Sequence, residues 1–272
     1  MNSKDYFKLP GINSHALIEM MRSPLHCWAK YVDPDAHERD EQSQAMRLGS
    51  LVHCLALEPE TFTRDFIVAD GINRRTKDGK AEWAAVVESG LIPITGDDYA
   101  KASRISSSVT LHPIAGPLLS GGEAEKTIVV ERDGLLPLKG RIDYLHPYAG
   151  VVELKTANDA RKLAFSGAVH RYGYHLSASY YRMLVARHTG CEEAEIRHTF
   201  VVVETKYPFS VAVYTAHEAL LEEGRKLWEE QLARFDECMK ADHWPGYPAD
   251  ILDTYTSGGV ARFDVEVGEL EL

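Results

Sequence analysis

Cysteine is scarce: four in 272 residues, at Cys27, Cys54, Cys191 and Cys238, with no C-x-x-C pair. That spacing excludes a disulfide framework or a closed zinc knuckle and predicts buried free thiols in a reducing cytoplasm. Long apolar runs are also missing. None approaches the roughly 18 residues that span a bilayer, and Met1-Asn2-Ser3-Lys4-Asp5 lacks the apolar stretch of a signal peptide. The expectation is a cytoplasmic protein with no membrane partner. A basic excess is absent too, with 30 Lys+Arg against 41 Asp+Glu and a net charge of −11. This argues against a protein that coats phosphates over its whole surface. An enzyme that grips nucleic acid in one local channel stays open. There is no internal repeat, low-complexity segment or convincing linker.

What is present is globular: 44% hydrophobic and 26% charged residues. The pattern predicts a single α/β unit over 1–272, with a helical N-terminal part (1–122), a sheet core (123–215) and a C-terminal helix with an irregular tail (216–272). Asn13 or Ser14 caps a short helix whose Leu17 and Met21 face inward at i, i+4. Ser23-Pro24 opens the next one, serine at N-cap and proline at N1. Residues 33–40 read as a loop. Over 41–57, Ala45, Leu48, Val52 and Leu55 recur at helical spacing until Glu58-Pro59 stops them. The charged, glycine-bounded stretch 70–80 reads as an exposed loop, followed by helices over 81–89 and 97–111.

The texture then changes. Strands are expected at 127–130, 138–145 and 151–156, joined by Arg132-Asp133-Gly134 and by Pro147-Tyr148-Ala149-Gly150 as an antiparallel meander. A helix over 174–188 carries Leu176, Tyr180, Met183 and Leu184 on one stripe. Two further strands (200–203, 211–214) and a charged helix (216–241) complete the order, with a Pro- and Gly-rich tail from Trp244.

The chemistry concentrates at Asp143, Glu153 and Lys155. Alternate side chains of a strand share a face, so Glu153 and Lys155 project together, with Asp143 on the preceding strand across a tight turn. Two carboxylates held close repel unless a cation lies between them. Oxygen donors suit Mg²⁺, with Mn²⁺ as a substitute. A lysine beside such a cation orients the attacking water or neutralises charge developing on a phosphate. Glu and Lys alternating on a strand is also a common solvated face, but Val151, Val152 and Leu154 mark this strand as core.

Ile142-Asp143 followed by Glu153-Leu154-Lys155-Thr156 resembles the core motif of the PD-(D/E)xK nuclease superfamily, with Ile142 where proline often stands. Gly49-Ser50-Leu51-Val52-His53-Cys54-Leu55-Ala56-Leu57-Glu58-Pro59 resembles the G-x-x-x-H-x-x-x-L-E-P helix of RecE-type exonucleases (the exodeoxyribonuclease VIII family of phages and prophages). Ser23-Pro24, Gly140-Arg141-Ile142-Asp143 and Trp244-Pro245-Gly246-Tyr247 extend the likeness from about Tyr6 to Tyr247. The resemblance implies a restriction-endonuclease-like core, a central mixed sheet in α-β-β-β-α-β order. It implies Asp143, Glu153, the Leu154 backbone carbonyl and His53 as metal ligands, and Lys155 at the attacking water. Gly49, one turn before His53, leaves the face above the imidazole without a side chain. Glu125 resembles an acidic residue that some relatives bring near the metals. Tyr181 matches the tyrosine of the family's Q-x-x-x-Y helix, whereas Ser177 stands where glutamine is expected; His175 lies on another face.

The function so implied is a Mg²⁺-dependent exonuclease acting 5′→3′ on double-stranded DNA ends. Its single-stranded tails would serve an annealing protein in phage-type recombination, and relatives assemble as homo-oligomeric rings. Arg141 is the leading phosphate-contact residue. Arg74, Arg75, Lys77 and Lys80 form a basic loop, and Arg161, Lys162 and Arg171 a second cluster. Two alternatives stand beside this reading. One is an endonuclease on the same core, the cluster-bearing Cas4-like variant being disfavoured by the cysteine positions. The other is a non-catalytic DNA-binding module.

Overall fold

The computed structural model describes residues 3–34, 43–73 and 75–247. Helices open the chain: α1 (Ser3–Lys8), α2 (Ser14–Arg22), α3 (Pro24–Tyr31), α4 (Gln44–Leu57) and the single turn α5 (Phe62–Asp65). The Asn13 side chain accepts from the Ala16 amide at 2.9 Å, and Ser23 caps α3 with Pro24 in its first turn, as the sequence predicts. The buried stripe of α2 is Ala16, Leu17 and Met20, while Met21 is exposed. The inward methionine is therefore one position earlier than the i, i+4 reading placed it.

Two short parallel strands, β1 (Phe66–Val68) and β2 (Ile92–Ile94), flank α6 (Lys77–Glu88). Neither strand is anticipated by the sequence, since three residues give no measurable alternation. The segment 70–80 is also only partly a loop. Thr76 accepts from the Gly79 amide and starts α6 at Lys77, four residues before the expected start. Then come α7 (Gly96–Thr110), opened by a Thr95–Asp98 capping box, and α8 (Ala115–Leu118).

The central sheet follows: β3 (Glu123–Arg132), β4 (Leu135–His146), β5 (Gly150–Ala157), a crossover of α9 (Lys162–Arg171) and α10 (Tyr174–Thr189), then β6 (His198–Glu204) and β7 (Val211–Thr215). Its order is β3-β4-β5-β6-β7, antiparallel except for the parallel β5–β6 pair. Parallel neighbours need a long crossover, which the two helices supply. The result is the mixed sheet in the expected order. The sequence reading lacks α9, because only Phe165 and Val169 of its ten residues are buried and the helical stripe is thin.

Alternation on β5 and β6 sets the two faces. Val152, Leu154, Val201 and Val203 join a core with Leu51 and Val52 of α4 and Ile105 and Val109 of α7. On the other face Ile142 and Val151 pack with α2 and α10, and with Trp228 and Phe235 of the long α11 (Glu218–Ala241). At Gly140 a Cβ would stand 2.5 Å from the Leu184 side chain and 3.2 Å from the Tyr181 ring of α10, so the glycine lets β4 pass close beneath that helix without repacking those side chains. The Trp244–Tyr247 end packs on α11 and α3: Trp244 meets Phe235 of α11 edge-on, and Pro245 accepts from the Leu25 amide of α3 at 3.1 Å. Cys27 and Cys238 are buried free thiols, but Cys191 is exposed and Cys54 intermediate, so burial holds for two of the four. Among the described residues no helix is long and apolar enough to cross a membrane.

Candidate metal centre

A cleft of about 480 Å³ opens between α2, α4 and the β3–β5 edge of the sheet. His53, Glu125, Arg141, Asp143, Glu153, Lys155 and Tyr181 all line it. One ligand atom each from His53, Glu125 and Asp143 lie within 4.8 Å of one another. Helix α4 delivers His53, whose Nδ1 is 3.7 Å from Asp143 Oδ2. Gly49 lines the same wall, but a Cβ there would meet Thr156 of β5 at 3.4 Å. That is ordinary van der Waals distance, so the glycine matters for the open space beside His53 rather than for seating α4 on β5.

Glu125 arrives by an unusual backbone. Its φ is +50°, in the left-handed region that costs a non-glycine residue of order 1 kcal/mol or more. Ala124 and Lys126 on either side pair regularly with Tyr144 and Ile142 of β4. The twist at one residue swings the carboxylate into the cleft opposite Asp143. There Arg141 Nε stands 2.6 Å away, with Glu58 3.5 Å from the same guanidinium. Arg141 is thereby held between two acidic groups.

Lys155 and Glu153 form a tight pair, Nζ to Oε1 2.6 Å. The second oxygen of Glu153 lies 3.1 Å from His198 Nε2 at the start of β6. His198 is fully buried, and the sequence reading misses it because the expected strand starts two residues later, at Phe200. Its parallel pairing with Val151 puts it on the face of Glu153. The signal available was the polar pair His198-Thr199 heading the apolar run Phe200–Val203. Tyr174 is a second omission: Lys155 Nζ sits 4.5 Å from its ring centroid, a cation–π contact. Asp143 Oδ2 accepts from the Leu154 amide at 2.9 Å, which locks β4 to β5 at the site.

Charge is unbalanced in a telling way. Burial opposes ionisation of Glu153, but Lys155 and the His198 hydrogen bond outweigh it and hold the carboxyl well below its usual range. Burial likewise opposes the Lys155 cation, and Glu153 and Asp143 together push its pKa up. Asp143 is raised by burial, with Glu153 adding to the effect. The Glu125 carboxyl is pushed up to about 8, first by burial and then by Asp143. So Glu153 and Lys155 compensate each other, while at Glu125 and Asp143 burial and mutual repulsion outweigh the nearby Arg141, His53 and Lys155. An imidazole with two such carboxylates fits a divalent cation.

The remaining expected residues separate. Ser177 is buried in α10 and does not line the cleft, so this position offers no phosphate contact. Tyr181 reaches the cleft and lies 3.3 Å from Ser14 Oγ through its hydroxyl. Arg75 and Lys77 are exposed and lie outside the cleft lining, and Arg74 falls outside the described residues. His15 of α2 lines the cleft and was not singled out by the sequence.

Residues 14–254 match the model of a family described as "PDDEXK-like domain of unknown function (DUF3799)". In three dimensions the chain is similar to the crystal structure of a protein from Eubacterium rectale described as a "Putative exonuclease". The TM-score is 0.65 at 15% sequence identity, over 94% of this chain and 96% of that one. At that identity the likeness speaks to the fold. No curated protein matches the chain in sequence.

Proposed function

The chain belongs to the PDDEXK-like family, and from that premise we propose that it is a metal-dependent nuclease cutting DNA phosphodiester bonds in the α4–sheet cleft. The observation that carries this reading is the convergence of His53, Glu125 and Asp143 within 4.8 Å, beside the buried Lys155–Glu153 pair. His53, Asp143 and Glu125 would hold the cation, with Glu153 and the Leu154 carbonyl completing the set as the family motif implies. Mg²⁺ is the natural occupant for these mostly oxygen donors and Mn²⁺ its substitute. When bound, the cation supplies Lewis-acid polarisation of the phosphate and a readily ionised water.

The protein's own groups do the rest. Lys155 stays protonated because Glu153 and Asp143 favour the cation. It therefore offers positive charge to a phosphate oxygen or to the attacking water, rather than taking up a proton. Glu153 is kept ionised and aimed by Lys155 and His198. Arg141, pinned by Glu125 and Glu58, presents the remaining guanidinium edge to the cleft as a phosphate contact. On this reading the chain is a single nuclease unit, with described helices before residue 123 forming one cleft wall, β3–β5 the other, and α11 packed against the opposite face of the sheet.

The finer reading is exonucleolytic: attack on double-stranded DNA ends in the 5′→3′ sense, leaving single strands for an annealing protein, by a cytoplasmic ring of identical chains. It rests on the RecE-type motifs around His53 and Asp143. End-labelled linear duplex and closed circular duplex are incubated with Mg²⁺ and with wild type or Lys155→Ala. Nucleotide release from linear DNA alone, abolished by the substitution, supports the exonuclease. Cutting of circles converts the reading to an endonuclease. No cleavage with either Mg²⁺ or Mn²⁺ refutes catalysis and leaves a binding module.

A further inference from the structure

Phe7 is unusual for an apolar side chain. Its ring is 51% exposed, yet it lines the metal cleft together with His53, Arg141 and Lys155. Apolar residues scattered singly over a surface need no explanation. Among the described residues, however, Phe7 is the one large apolar side chain that is both exposed and part of the cleft wall.

Its backbone is firmly held. Helix α1 has only six residues, and of its described side chains only Tyr6 is buried. Length and burial alone do little to keep such a helix in place. Strand β4 supplies the anchorage. Lys139, itself buried, points Nζ at the Leu9 carbonyl (2.5 Å) and the Tyr6 carbonyl (3.3 Å) at the end of α1. The same amine lies 5.0 Å from the centre of the Tyr6 ring. Ile12 then pairs with β4, donating to the Pro137 carbonyl at 2.9 Å and accepting from the Lys139 amide at 2.8 Å. Gly11, with φ +136°, permits this approach, since a Cβ there would stand 2.9 Å from the Pro137 carbonyl oxygen.

A buried amine with no carboxylate partner among the described residues is costly. Here it secures a helix whose one buried ring, Tyr6, meets Phe7 edge-on with centroids 5.4 Å apart. What the anchorage fixes is therefore the place of an exposed aromatic ring in the wall of the cleft.

An anchored, solvent-facing aromatic ring in a DNA cleft suits one ligand chemistry, the flat face of a nucleobase. A base inside a duplex is stacked on both sides, so that face is open only where the strand is unpaired or frayed. We propose that Phe7 is a stacking platform for an unpaired nucleobase of the strand whose phosphate enters the metal centre. This rests on the nuclease reading, and adds to it that the cleft takes single-stranded or frayed DNA without preference among the four bases, each of which has a π-face. Arg141 and Lys155 offer charge to the phosphates, and Phe7 makes the contact to the base.

The test uses short single-stranded oligonucleotides with Mg²⁺ present, and Lys155→Ala in every protein so that DNA binds without being cut. Adding Phe7→Ala should weaken binding by about 5- to 100-fold. Phe7→Leu should do nearly as much, because leucine keeps apolar bulk and loses the ring face. Phe7→Trp should bind at least as well as the Lys155→Ala parent. Irradiating a probe that carries 5-iodouracil, which couples to a stacked aromatic ring, should place the cross-link on Phe7 and lose it in Phe7→Leu. These changes are at an exposed side chain, so the fold, checked by circular dichroism, should survive them. Parent-like affinity in both Phe7→Ala and Phe7→Leu, with cross-linking undiminished, overturns the stacking role; if the wild type still cuts DNA, the nuclease reading stands. A wild type that neither binds nor cuts DNA overturns both.

Discussion

Replacing Glu125 by Gln should make the metal-free protein more stable at alkaline pH, although it removes an ion pair with Arg141. Folding raises the Glu125 carboxyl from 4.5 to about 8. A carboxyl whose folded pKa is raised takes up a proton on folding between those two values. Its contribution is fully present below about 4.5 and is lost as pH rises through about 8. At about 1.36 kcal/mol per unit the rise corresponds to an upper limit of about 5 kcal/mol. Water in the open cleft and the adjacent guanidinium reduce this, and we expect about 2 kcal/mol in practice. Urea unfolding in chelator at pH 6 and pH 9 reads it directly. The wild type should lose stability over that interval, and Glu125→Gln should lose less, ending more stable than wild type at pH 9. Added Mg²⁺ should stabilise the wild type at pH 9 and the variant much less, because the cation relieves the repulsion that Gln has already removed. Parallel pH slopes for the two proteins would refute the reasoning.

His198→Ala should lower DNA cleavage by about 10- to 100-fold at near-normal substrate affinity, since Glu153 loses the group that aims its second oxygen; single-turnover kinetics separate the two effects. Gly224→Ala should cost about 2–3 kcal/mol and lower the melting temperature, because its methyl group collides with the His175 carbonyl. A thermal scan unchanged within error would contradict the close helix contact.

What could be read from sequence was what local periodicity encodes. The alternation Val152, Leu154 against Glu153, Lys155 places β5 in the core with its charged pair on one face, and the structure has that arrangement. The helix carrying His53 is legible for the same reason, through its apolar repeat and the proline stop. Glu125 is different. Its strand alternation says nothing about the cleft, because one left-handed residue redirects the side chain. His198 reaches Glu153 only through a parallel pairing formed across the α9–α10 crossover, a contact 45 residues apart in sequence. Short or thin elements escaped as well: β1 and β2 span three residues each, and α9 buries two side chains.

The most direct measurement of the central claim is the anomalous scattering of crystals soaked in Mn²⁺. A peak among His53 Nδ1, the Asp143 carboxylate and the Glu125 carboxylate, with Lys155 still paired to Glu153, is the expected result. Full occupancy of Mn²⁺ elsewhere on the chain and none in that cleft would contradict it.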